Sequence, residues 1–117
     1  MNQKVDLKEM NKLVHLLADA KIDFEIHPRL DALVSERDII STFSIVTRNN
    51  HGRMIVGAIC NPFSYGWQYQ QDDGRCVNLI EVMAHDEYAE VTDNDVVGYC
   101  TAEEAFEIFQ KVWKMAN

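Results

Sequence analysis

Residues 54–83 read MIVGAICNPFSYGWQYQQDDGRCVNLIEVM, and they join two strand-like apolar runs through an aromatic, polar loop. The runs Arg53 to Cys60 and Cys76 to Met83 are rich in aliphatic residues of the kind that favour extended backbone. The dense apolar positions of the second run indicate a strand in the middle of a sheet. This stretch therefore predicts a β-sheet core with one long aromatic loop. The rest of the chain is expected to pack around that core.

A β-hairpin is predicted just before that loop. Phe43 to Arg48 and Arg53 to Cys60 are both strand-like, and Asn49-Asn50-His51-Gly52 between them supplies residues that tolerate positive φ. His51 is accordingly interpreted as a turn residue. Gly57, inside the second strand, indicates a bulge or a close approach by a neighbouring side chain.

The N-terminal part of the chain predicts a helix followed by a strand. A helix from about Asp6 to Ala20 would be capped by Asp6 and would bury Leu7, Met10, Leu13, Val14 and Leu17 on one face. Ile22, Phe24 and Ile26 then alternate with polar residues, which predicts a half-buried strand ending at Pro28. Residues 29–42 are predicted to be mostly loop.

The C-terminal part predicts a second helix with a well-defined start. Thr101 and Glu104 are spaced as a capping box, in which each side chain binds the other's backbone N–H. The predicted buried stripe of this helix is Ala105, Phe106, Phe109, Val112 and Trp113. A short apolar run, Val96 to Cys100, leads into the helix, and residues 84–95 form an acidic connection.

These elements together predict an α+β fold in a single domain covering residues 1–117. We expect an antiparallel sheet of four to five strands, with the N- and C-terminal helices packed on one face. The other face is expected to be partly open unless a partner or a second copy covers it.

The charge of the chain is unevenly distributed. The formal net charge is −8; residues 1–58 hold eight acids and eight bases, whereas residues 59–117 hold eleven acids and three bases. Such a surface repels nucleic-acid phosphates and favours a basic partner. The alternative interpretation is a solvated acidic face that only keeps the protein in solution.

Neither the N-terminus nor the cysteines indicate secretion. The first residues mix charges into the apolar positions, so neither a signal peptide nor a membrane span is predicted, and a cytoplasmic location is expected. The three cysteines, Cys60, Cys76 and Cys100, are odd in number and form no CxxC pair. They are interpreted as reduced, buried thiols.

The sequence indicates neither a catalytic group nor a metal site. A nucleophilic site made of Cys60 or Cys76 with His85 as its base has only a weak signal in the sequence. Cys100 directly precedes a helix whose dipole could favour its thiolate. The acids around Asp93 and Asp95 depart from a calcium loop, because Val97 stands where a third oxygen ligand belongs. We therefore expect no catalytic residue, no metal and no cofactor.

The loop NPFSYGWQYQQ, residues 61–71, is the best candidate for function. Aromatic rings offer rigid contact area and the amides between them offer directional hydrogen bonds, a combination suited to recognition. If Tyr65 to Gln71 were extended, three of its rings would share one face, and this segment could pair with the strand after Asp73-Gly74. A lid over the core is an equally good interpretation. The predicted binding residues are Phe63, Tyr65, Trp67, Tyr69 and Arg75.

Several short segments resemble a known group of proteins. The segments are Ala58–Cys60, Ser64–Gly66, Leu79–Met83, Val96–Tyr99 and Thr101–Phe106. With this spacing, the chain resembles short uncharacterised α+β proteins of Firmicutes and their phages, which have no established activity. The resemblance implies a phage or mobile-element context and no particular chemistry.

The function favoured by the sequence is that of a non-enzymatic binding or regulatory protein. It would contact a protein partner, or a second copy of itself, through the acidic second half and the aromatic loop, with no role for nucleic acid or membrane. The alternative is a small-molecule sensor or sponge that stacks a nucleotide-like ligand on the loop, with Arg75 near its phosphates. An enzyme ranks third, since no acid–base or nucleophile constellation stands out.

Overall fold

The structure, a computed structural model, describes residues 6–33 and 38–117. A helix comes first and last among the described elements, and six consecutive strands, a 3-10 helix and a seventh strand lie between them. In order they are α1 Lys8–Asp19, β1 Glu25–Leu33, β2 Asp38–Arg48, β3 Met54–Ile59, β4 Tyr69–Gln70, β5 Cys76–Val77, β6 Ile80–Ala84, a 3-10 helix Asp86–Thr92, β7 Val97–Cys100 and α2 Ala102–Ala116.

Five strands form one antiparallel sheet in the order β1-β2-β3-β6-β7, and β4 pairs with β5 in a separate two-stranded sheet. The predicted α+β class, with a helix at each end of the described chain, is confirmed. Because β6 lies between β3 and β7, its central position is also confirmed.

The two faces of the sheet differ because side chains alternate along each strand. On the helix-covered face, Val56 of β3 lies opposite Thr47 and Ala84, and all three are buried. On the opposite face, which we call the outer face, Gly57 lies opposite Val46 and Met83. The core also contains residues from both helices, among them Met10, Leu13, Leu17, Ala105, Phe109 and Val112.

Both helices begin close to the predicted residues. The N-cap residue of α1 is Leu7 and not the predicted Asp6. Oδ1 of Asp6, one residue earlier, accepts the backbone N–H of Lys8 at 2.9 Å. In α2 the capping box is present, since Thr101 and Glu104 each accept the other's backbone N–H. Phe106 and Trp113 lie at the edge of the buried stripe and are half-buried.

The prediction that residues 29–42 are mostly loop is wrong. β1 continues past Pro28 to Leu33 and pairs with β2, which begins at Asp38; residues 34–37 lie outside the described residues. Pro28 does not end the strand because β1 is an edge strand, with one side that needs no ladder partner.

Gly57 has neither of its predicted roles. The register shift in the hairpin lies between Thr47 and Arg48, so that Ile55 is the extra residue of β3. A Cβ added at Gly57 would lie 3.5 Å from the carbonyl oxygen of Ile45 and 3.6 Å from Sδ of Met54. Those are ordinary van der Waals contacts, so an alanine would fit at this position without a forced shift of its neighbours.

The predicted strand from Cys76 to Met83 is divided. Cys76–Val77 pairs with Tyr69–Gln70 across the turn at Asp73-Gly74, whereas Ile80–Ala84 joins the main sheet. Between these two strands, the Asn78 side chain contacts neighbouring segments through hydrogen bonds. None of the described helices is both long and apolar enough to cross a membrane.

Candidate functional site

The aromatic loop, residues 61–71, starts with a tight turn around a buried asparagine. Oδ1 of Asn61 accepts the N–H of Phe63, and Oγ of Ser64 both accepts the N–H of Asn61 and donates to its carbonyl. Such Asx-type bonding fixes the backbone locally. As a result the Phe63 ring projects outward and is 77% exposed.

The middle of the loop is held by close backbone contacts against Leu79, the residue before β6. Gly66 has φ +114°, and a Cβ there would lie 2.9 Å from Cβ of Leu79, so only glycine fits without movement. Its carbonyl accepts the N–H of Leu79 at 2.9 Å. The next residue, Trp67, packs against the core and is half-buried. Trp67 is therefore a lid residue.

Tyr65 is tied to β6 and β7 through its backbone. Its N–H donates to Oε1 of Glu81 at 3.0 Å, and its carbonyl accepts the N–H of Tyr99 at 3.3 Å. Gly98 makes this approach possible, because a Cβ at that position would lie only 2.5 Å from Cβ of Tyr65. The loop thus docks on β7 where that strand lacks a side chain.

Three rings meet at this point, and we call Tyr65, Tyr69 and Tyr99 the tyrosine cluster. The ring centroids of Tyr65 and Tyr99 are 6.4 Å apart, and those of Tyr69 and Tyr99 are 5.6 Å apart in an edge-to-face arrangement. The three residues remain 60%, 47% and 53% exposed, respectively. The cluster is therefore an aromatic surface patch.

Tyr99 is the member that the sequence did not indicate. It belongs to the short run Val96 to Cys100, which predicted only a connection into α2. The register shift opposite Glu81 in β6 accompanies a left-handed conformation of Tyr99, with φ 58°. The glycine that precedes it is the one signal that could have indicated an irregular strand here.

The predicted site residues are therefore divided among separate places. Tyr65 and Tyr69 come together, Phe63 projects alone and Trp67 packs inward. The predicted shared face of Tyr65, Trp67 and Tyr69 does not form, because residues 65–68 make turns instead of an extended strand. Arg75 binds Asp73, with a distance of 2.7 Å from Nε to Oδ2, and lines a cleft beside Lys8 at the start of α1.

The cysteines offer no activated nucleophile at Cys60 or Cys100. Both thiols are buried, and burial raises the pKa of Cys60 to about 12 and that of Cys100 to about 11. The helix that follows Cys100 does not favour its thiolate, because the effect of burial on the pKa is larger than that of the helix dipole. Cys76 is exposed, contrary to the expectation that all three thiols are buried.

The acidic connection folds into the 3-10 helix Asp86–Thr92. Oγ1 of the buried Thr92 accepts the N–H of Ala84 and donates to the carbonyl of Asp95, which fastens this segment to β6. Asp86 pairs with Arg53 at 2.6 Å.

No three His, Cys, Asp or Glu residues within 6–33 and 38–117 lie close enough together to hold a metal ion.

Comparisons with protein-family models, with curated proteins and with solved structures found no match to this chain.

Proposed function

We propose that the chain is a non-enzymatic binding protein that contacts a basic segment of a protein partner through the tyrosine cluster and the neighbouring acidic surface. The observation that carries this proposal is the tyrosine cluster itself, in which the Tyr99 ring contacts those of Tyr65 and Tyr69 and all three are about half exposed. Exposed, rigid aromatic groups of this kind are typical of the residues that dominate binding energy in protein interfaces.

The conformation of Tyr99 supports a role in contact. A left-handed backbone costs a residue other than glycine about 1–2 kcal/mol, so a glycine at this position would relieve strain. The protein nevertheless has a tyrosine there, with φ 58° and a ring that is 53% exposed. Strain that supports an exposed ring is better explained by binding than by stability.

Charge indicates the class of partner. The protein carries a net charge of −8, and the carboxylate of Glu81 binds the backbone of Tyr65 within the site. A Lys or Arg side chain placed over a tyrosine face gains about 0.5–1 kcal/mol at an exposed site through its attraction to the ring. Negative charge nearby adds to that attraction and speeds encounter.

The nucleotide-sensor alternative has less support. It requires a cation beside the stacking surface, and Arg75, the residue expected to supply it, is paired with Asp73 and lines the cleft next to Lys8. A phage or mobile-element origin and a cytoplasmic location are further proposals that agree with a small regulatory binding protein.

Selection from a random peptide library on the immobilised protein tests the proposed function. We expect the wild-type protein to enrich peptides that contain Lys or Arg, and we expect a double variant, Tyr69→Ser with Tyr99→Gly, to lose them. Met115→Ser is the matched control, because it removes a comparably exposed apolar side chain on α2. Thermal unfolding of each variant checks the fold.

Two outcomes would contradict the proposed function. The first is a wild-type protein that enriches no peptide above the bare support. The second is a set of enriched peptides whose affinity is the same for the double variant as for the Met115→Ser control.

A further inference from the structure

A β-bulge sets one carboxylate of β6 across from the tyrosine cluster. The register of β6 and β7 shifts between Ile80 and Val82. Glu81 alone therefore stands opposite two residues of β7, Gly98 and Tyr99. Bulges of this kind re-aim the side chains that they contain, and they are common beside functional sites. The exposed ring of the cluster that lies on β7 thus belongs to the bulge that faces Glu81.

The Glu81 carboxylate uses one of its two oxygens to hold the cluster. Oε1 accepts the N–H of Tyr65 at 3.0 Å, and the Tyr65 carbonyl accepts the N–H of Tyr99 at 3.3 Å. Within residues 6–33 and 38–117, this half-buried carboxylate forms no ion pair and Oε2 has no hydrogen-bond partner. Oε2 is therefore an acceptor that a cation from a partner can use, beside the backbone of two cluster residues.

The rings of the cluster leave faces open for a flat cation. The planes of Tyr69 and Tyr99 are inclined by 66°, and those of Tyr65 and Tyr99 by 40°. Because neither neighbour stacks parallel on Tyr99, the three rings do not form a closed stack, in agreement with their exposure. The face of an aromatic ring carries the negative part of its quadrupole and attracts cations.

Ring faces beside a single carboxylate oxygen discriminate between the two basic side chains. The guanidinium of arginine is planar and weakly hydrated, so it can lie flat on a ring while N–H groups at its edge donate to a carboxylate. The ammonium of lysine is a compact, strongly hydrated charge with three N–H donors. With one donor on Oε2 of Glu81, the other two would still need water, so contact with the rings would cost more desolvation.

We infer that the site selects an arginine of the partner segment over a lysine, and that Glu81 is the residue that determines this selection. The guanidinium lies on a ring of the tyrosine cluster and donates from its edge to Oε2 of Glu81. The inference rests on the proposed function, which asks only for a basic segment, and it adds which basic side chain the partner presents.

Exchange of arginine and lysine in one peptide tests the inference. The probes are two synthetic copies of the peptide most enriched by the wild-type protein, one with Arg at every basic position and one with Lys at every basic position. Both are titrated by calorimetry. We expect the Arg copy to bind the wild-type protein at least about fivefold more tightly, because only a guanidinium combines ring stacking with the bond to Glu81.

Glu81→Gln isolates the contribution of the carboxylate. The amide oxygen of glutamine can still accept the N–H of Tyr65, so the loop should stay docked while the charge is lost. We expect the ratio of the two dissociation constants to fall towards one in this variant. Glu107→Gln is the matched control, because it removes the same charge from an exposed position of α2 and should keep the wild-type ratio. The NMR signal of the Glu81 carboxylate carbon, followed in the wild-type protein, should shift when the Arg copy binds, and this measurement needs no substitution.

The possible outcomes separate this inference from the proposed function. A preference for the Arg copy that Glu81→Gln removes and Glu107→Gln keeps supports both. Enriched peptides with Lys but no Arg, or equal affinities of the two copies for the wild-type protein, overturn the inference and keep the proposed function. So does a preference that Glu81→Gln retains, or a Glu81 carboxylate signal that the Arg copy does not shift. A wild-type protein that enriches no peptide contradicts the proposed function and the inference together.

Discussion

Gly98 shows how one missing side chain positions Tyr65 of the tyrosine cluster. The Cβ of an alanine at position 98 would lie only 2.5 Å from the Cβ of Tyr65, which is closer than two such atoms can approach. The tyrosine backbone is held at the same place by Glu81 and by Tyr99. A methyl group at position 98 must therefore move Tyr65 together with its loop.

We expect Gly98→Ala to destabilise the protein by about 1–3 kcal/mol, the usual cost of overpacking. Gly57→Ala is the matched control, because it also adds a methyl group to a strand glycine but meets contacts of 3.5 Å or more. Chemical unfolding measures the difference. Equal stabilities for the two variants would contradict the close packing of Tyr65 on Gly98.

Trp67 and Phe63 belong to the same loop and are expected to respond differently to truncation. Trp67 packs against the core, whereas Phe63 is 77% exposed. Trp67→Ala should cost about 2 kcal/mol, below the roughly 3–5 kcal/mol of a fully buried ring, and Phe63→Ala should leave stability nearly unchanged. Thermal unfolding decides between these expectations, and an unchanged melting temperature for Trp67→Ala would show that the ring is not part of the core.

At the scale of elements, the start of α2 is fixed by three side chains. Thr101 and Glu104 form the capping box, and Oε1 of Glu9 in α1 accepts the N–H of Ala102 at 2.8 Å. Lys12 of α1 also pairs with Glu103. These contacts satisfy helix N–H groups that have no partner within the helix, and they join the two helices.

We expect Thr101→Ala to lower the free energy of unfolding by about 1 kcal/mol, because the N–H of Glu104 loses its acceptor. Thr101→Ser keeps the hydroxyl and should retain most of the stability. Urea unfolding followed by circular dichroism measures both variants. The capping role would be contradicted by a serine variant as unstable as the alanine variant.

At the scale of the whole molecule, the core keeps two thiols in the neutral form. Cys60 at the end of β3 and Cys100 at the end of β7 are both buried, and burial raises the pKa of each above the ordinary 9.0, to about 12 and about 11 respectively. Unfolding would return both groups to their ordinary pKa. The folded state therefore holds these protons more tightly than the unfolded state does.

The free energy of unfolding should consequently be constant with respect to these thiols below pH 9 and should fall as pH rises from 9 towards 12. Urea unfolding of the wild-type protein and of Cys60→Ala across this range tests the expectation. The alanine variant should start less stable, because it loses buried volume, and should then lose less stability with rising pH. Parallel pH dependences would contradict the role of the Cys60 thiol.

The whole molecule also determines which surface is left for binding. Both helices pack on one face of the sheet, so no described helix covers the outer face. The tyrosine cluster is joined to the central strand β6 through Glu81, whose Oε1 accepts the N–H of Tyr65.

The sequence by itself determined the elements whose signals are local. The α2 start follows from the spacing of Thr101 and Glu104, and the β2–β3 hairpin follows from turn residues between two strand-like runs. Both depend on neighbours within a few residues, which a sequence displays directly. The α+β class follows from the order of such elements. The local signal at Pro28 was misleading. Proline next to polar residues predicts the end of a strand, but an edge strand tolerates a proline, and only the fold shows that β1 lies at an edge.

Only the tertiary structure decided which aromatic residues form the candidate site. Tyr99 joins Tyr65 and Tyr69 because the loop docks on β7, whereas Trp67 turns into the core and Arg75 pairs with Asp73. These outcomes depend on contacts between residues far apart in the chain, on a left-handed residue and on the space left by Gly98. The spacing of neighbouring residues shows none of these three features. The composition of the loop therefore indicated where the candidate site lies, and only the fold determined which of the aromatic rings are exposed and in contact.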